Sequence, residues 1–112
     1  MAIWFLRGLR RGVVTTRYPA EAEPSARLLP TPPVFDPRRL TGAVTDAVVD
    51  ACPSGALRKE GAVLVLDIGA CSACGRCVAA GGEAARRSGL FELAATDRRH
   101  LVKRIPIAGD QR

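Results

Sequence analysis

Leu66-Asp67-Ile68-Gly69-Ala70-Cys71-Ser72-Ala73-Cys74-Gly75-Arg76-Cys77-Val78 decides how this chain is read, because three of its four cysteines fall there as C-x2-C-x2-C. The fourth, Cys52, stands upstream and is followed by Pro53. Cysteines this close in a chain that reads as non-exported point to ligands rather than disulfides. Zinc sites usually pair two Cys or Cys/His knuckles, whereas three ligands from one tight loop and one distant partner suit the corners of a cubane better. Gly69, Ala70, Ser72, Ala73 and Gly75 are small enough to let backbone N–H groups approach the sulfurs.

Bacterial ferredoxins repeat C-x2-C-x2-C-x3-C-P twice, and the fourth cysteine of each run serves the other cluster. Laid on Cys52-Pro53, the first run puts its three other ligand positions at Gly42, Thr45 and Val48. The second run, laid on Cys71, Cys74 and Cys77, puts its fourth ligand at Gly81. One cluster would have used 42, 45, 48 and 81, and all four lack cysteine. The other would use Cys52, Cys71, Cys74 and Cys77, and all four are present. The expectation is one [4Fe-4S] cluster on those cysteines, in a small α+β domain like a bacterial ferredoxin, with an ordinary helix over the lost site.

Around this motif, Thr41 is positioned to cap a helix to Ala51 that carries Val44, Ala47 and Val48 as core, and Cys52-Pro53 ends it. A hairpin follows, with Ala56-Leu57-Arg58 leading to Lys59-Glu60-Gly61 and back through Ala62 to Leu66. Residues 67–80 read as a cysteine-bearing loop, Glu83 to Ser88 as a short helix and Leu90 to Ala94 as a strand. The iron-sulfur domain is expected over residues 38–96, before a basic tail, 97–112, with strand character at Leu101-Val102 and Ile105-Pro106-Ile107.

Upstream, residues 1–18 hold four arginines and no acidic residue. At helical spacing Ile3, Leu6, Leu9 and Val13 fall near one face beside Trp4 and Phe5, with Arg7, Arg10 and Arg11 on the rest. Such a basic amphipathic helix either packs on its own core or docks on a partner or a membrane interface. Residues 19–37 carry six prolines and read as an extended tether.

At 112 residues and 4% aromatic content the chain has room for one small core, so a metal staple is expected to help hold it. Its formal charge of +6 is scattered and accompanies no ribonucleoprotein or helix-turn-helix pattern, so nucleic-acid binding is not expected. His100, the only histidine, lacks a matched carboxylate motif, and no nucleophile-base pair suggests an enzyme.

The chain resembles the ferredoxin-like subunit I of NADH-quinone oxidoreductase and its relative in formate hydrogenlyase and other membrane-bound [NiFe] hydrogenases. The resemblance lies in Gly12-Val13-Val14-Thr15-Thr16-Arg17-Tyr18-Pro19, Ala51-Cys52-Pro53-Ser54-Gly55-Ala56-Leu57, Leu66 to Val78, and Phe91-Glu92-Leu93-Ala94, covering about residues 1 to 95. It implies a non-catalytic electron-transfer subunit, peripheral on the cytoplasmic side of the membrane, relaying electrons to or from a catalytic small subunit. In such a family the arm, with Trp4, Arg7, Arg10 and Arg11, lies at the membrane arm and the proline-rich segment wraps on neighbouring subunits. The alternatives are a structural or assembly module stapled by its cluster, and a zinc-binding adaptor.

Overall fold

The computed structural model describes residues 3–12 and 15–109. The fold is α+β, with three α-helices and two antiparallel sheets among these residues. Helix α1 (Ile3–Arg11) stands on the outside with no buried side chain, and Gly12 closes it in the left-handed conformation that favours glycine. Val13, expected on its apolar face, lies outside the described residues. No described helix is long and apolar enough to cross a membrane.

The tether is shorter than its prolines suggest. Strand β1 (Pro33–Phe35) pairs antiparallel with β4 (Ala85–Arg87), and Thr31, Pro32, Pro33 and Phe35 are buried. Proline is tolerated because β1 has a single partner strand and needs few donated hydrogen bonds. Residues 31–37 therefore belong to the folded domain.

Helix α2 (Gly42–Ala51) begins where expected: Thr41 accepts the Val44 N–H at 3.3 Å through its hydroxyl. Its inward face differs from the expected one. Thr45 and Val48 are fully buried, Val44 is half-buried and Ala47 faces solvent. The buried Thr45 hydroxyl donates to the Thr41 carbonyl at 2.8 Å, which makes its burial affordable.

The hairpin forms as β2 (Leu57–Glu60) and β3 (Val63–Asp67), and β5 (Val102–Pro106) adds to the free edge of β3. The tail is thus an integral strand of the domain. Leu64, Val65 and Leu66 on the central strand are buried, with Leu40, Val48 and Leu57 in the same core.

The segment after the cysteine loop departs most from expectation. Its helix, α3 (Arg76–Gly81), starts inside the cysteine motif, and the expected helix over Glu83 to Ser88 is replaced by a 3-10 turn at Gly82–Ala84 and then β4. Residues 88–95, expected to include a strand, have no regular structure. Close packing marks the turn: Gly81 sits against Val48 and Ala85, and a Cβ there would lie 2.7 Å from the Ala85 Cβ and 3.1 Å from Val48 Cγ1. Helix α3 ends there, and Gly82 turns the chain away with φ of 54°.

Candidate metal centre

Four separate devices bring the cysteines together. Cys52 caps the end of α2, where Pro53 forbids another turn. Cys71 follows a turn anchored by Asp67, whose carboxylate accepts the Gly69 N–H at 3.0 Å and pairs with Arg98 at 3.0 Å. Cys74 lies on the exposed loop between them and α3, and Cys77 is buried on α3 itself. All four line one cavity, floored by Leu57, Leu66 and Val78 and walled by Thr31 and Pro33 from the segment expected to be tether.

The loop backbone is shaped toward sulfur. Ala73 adopts a φ of 55°, rare for a residue with a side chain, and Gly75 a φ of 78°. This winding lets the Ala73 N–H donate to Cys71 Sγ at 3.4 Å. Successive left-handed turns of this kind gather amide dipoles around an anionic group. Arg87, reaching from β4, donates to the Ala73 carbonyl at 3.3 Å and lies against Gly75 where a Cβ would stand.

The thiols differ in acidity. The Arg76 N–H lowers Cys74, helped by the Ser72 hydroxyl and the Arg76 charge. At Cys52 burial pushes upward, but the Ser54 hydroxyl and the N–H groups of Leu57, Ala56 and Ser54 outweigh it and leave the thiol below its ordinary value. Burial, reinforced by the neighbouring Cys71, pushes Cys77 upward.

The enclosed space is about 20 Å³, room for roughly one water. Among the described residues no group of three or more His, Cys, Asp or Glu side chains is placed to hold a metal ion. The four thiols therefore share a cavity without being drawn onto a common point. Their chemistry fits a soft, thiolate-seeking metal centre. Cys74 and the loop around it are the free side, since Cys77 and Leu66 are held in the core.

Residues 42, 45, 48 and 81, the other set of ligand positions in the two-run alignment, hold no ligand. Thr45, Val48 and Gly81 are buried, and Val48 and Gly81 lie against each other. His100 is exposed and remote in sequence from the cysteines. Sequence reasoning missed Thr31 and Arg87 at the site. Neither carries a signal of its own, since both arrive through a β1–β4 pairing of three residues per strand.

No protein-family model and no curated protein matches the chain.

Proposed function

We propose that this chain is a non-catalytic electron-transfer subunit with a ferredoxin-like domain, carrying one [4Fe-4S] cluster on Cys52, Cys71, Cys74 and Cys77. Its place is a membrane-associated hydrogenase, formate hydrogenlyase-like or complex I-like assembly, peripheral on the cytoplasmic side. One observation carries the reading: the alignment sorts eight positions into two sets, and the set that keeps its cysteines lines one cavity. Val48 and Gly81 of the other set close on each other.

A bound cluster would supply a one-electron couple. The residues supply the rest: thiolates from two segments, amides directed at sulfur, and apolar walls from Leu57, Leu66 and Val78 that keep water from the inner side. The exposed apolar face of α1, with Trp4 at 76% exposure, supports docking on a larger partner.

Anaerobic reconstitution tests the proposal. The expected product is brown, holds about four irons and four sulfides per chain, and gives a reversible reduced-cluster EPR signal. One zinc with no iron or sulfide would replace it with a zinc-stapled structural module. A cluster that cannot be reduced reversibly would leave a structural role only.

A further inference from the structure

Resting on the reading above, we propose that Arg87 is a positioning residue: by gripping the Ala73 carbonyl it turns the Cys74 N–H to the sulfur side of the loop, which holds the loop in its metal-binding form and raises the cluster's potential. Ala73 has a φ of 55°, a conformation that is costly for a residue with a Cβ and persists only where its surroundings enforce it. Its N–H donates to Cys71 Sγ at 3.4 Å, and its carbonyl accepts from Arg87 Nη1 at 3.3 Å. Only the second of these contacts comes from outside the cysteine loop. The Ala73–Cys74 peptide is trans, and a planar trans peptide directs its C=O and N–H to opposite sides. A carbonyl fixed toward β4 therefore fixes the Cys74 N–H away from it.

The fold delivers Arg87 to this task. In the β1–β4 register Arg87 stands opposite Pro33, which lines the cysteine cavity, and Arg86 stands opposite Val34. Successive side chains of a strand alternate, so Arg86 leaves on the other face. Gly75 makes room, since a Cβ at that position would run into the Arg87 guanidinium. A guanidinium on the carbonyl also polarises the peptide, which makes the Cys74 N–H a stronger donor. Without Arg87, Ala73 is free to leave the left-handed region, and the Ala73 and Cys74 N–H groups then turn from the sulfurs. Reduction adds negative charge to a cluster, and N–H dipoles directed at its sulfurs stabilise that charge, so their loss lowers the potential.

The test uses the full chain before and after anaerobic reconstitution, with Arg87→Met, Arg87→Lys and Arg86→Met. Methionine keeps an aliphatic stem and removes both donor and charge. Before reconstitution, iodoacetamide should label Cys71 and Cys74 several-fold faster in Arg87→Met than in the wild type, with Cys77 unchanged. After it, a redox titration followed by EPR should place the Arg87→Met midpoint below the wild-type one at equal iron and sulfide content. Arg87→Lys, which still donates and is still charged, should recover most of both effects. Arg86→Met removes the same charge one residue away without touching the loop, and should leave labelling and midpoint as they are. Arg87 is exposed, so its replacement spares the core; should Arg87→Met fold or load poorly, Arg87→Gln is read in the same way. Wild-type labelling or a wild-type midpoint in the Arg87 variant overturns the positioning role, as does faster labelling that extends to Cys77 or an equal shift in Arg86→Met. Absence of iron and sulfide in the reconstituted wild type overturns the electron-transfer reading instead, and the labelling still decides whether Arg87 holds the loop.

Discussion

Gly81 is the residue where packing is least forgiving. Its backbone is helical, so alanine would meet no conformational penalty there, but the added methyl would press on the Ala85 Cβ and Val48 Cγ1. Gly81→Ala should therefore destabilise the chain by about 1–3 kcal/mol. A lowered thermal midpoint would register it; an unchanged one would mean that α2 and α3 separate more easily than their contact suggests. The thiols give a second test in the metal-free chain. Cys74 is exposed with its acidity raised by the Arg76 N–H, and Cys77 is buried with its pKa raised by that burial. Thiolate is the reactive form, so Cys74 should alkylate below the ordinary thiol pH and Cys77 only above it. Iodoacetamide labelling across a pH series, read by peptide mass spectrometry, should show that order, and the reverse would contradict the site geometry. For the loaded protein, Cys74→Ser should remove the brown absorbance and lower stability together, because ligand binding contributes folding free energy.

At the scale of elements, α2 shows what a sequence reveals and what it hides. Its limits were legible because Thr41 and Pro53 act locally, one by accepting an N–H and the other by forbidding helical geometry before it. Its buried face was not, since Ala47 and Thr45 are equally compatible with a short helix until a neighbour chooses between them. That neighbour is α3, which packs so closely that the polar Thr45 turns inward and bonds back to its own helix. Likewise the hairpin announced itself through the run Ala62 to Leu66, whereas β1 and β4 are three-residue strands whose existence depends on each other. The cysteine spacing indicated which residues gather, but not that Thr31 and Arg87 would join them. Thr41→Ala should cost about 0.5–2 kcal/mol through loss of the cap. Chemical denaturation measures it, and a loss confined to α2 would also loosen Cys52, seen as faster alkylation of that thiol.

The whole molecule is longer than its core requires. Its radius of gyration is 19.4 Å, against about 13 Å for a compact domain of 100 residues. The difference reflects a molecule 72 Å long and an arm that gives no buried side chain to the core. The arm's last fixed point is Tyr18, whose ring lies 5.2 Å from that of Phe91. Beyond it, nine helical residues carry Ile3, Trp4, Phe5, Leu6 and Leu9 exposed beside Arg7, Arg10 and Arg11. An isolated helix of that length is marginal in water, and a surface that received its apolar face would stabilise it. Changing Arg7, Arg10 and Arg11 together to Glu would leave the apolar residues in place while reversing the charge that would draw them to an acidic surface. On the proposed function, the variant should lose association with the membrane fraction or a partner complex while keeping the same iron and sulfide content as the wild type, because the folded domain begins some twenty residues away. Sedimentation of epitope-tagged chains with membranes, compared at low and high salt, measures the loss. Association that survives the reversal would show that α1 does not anchor this chain through its charge.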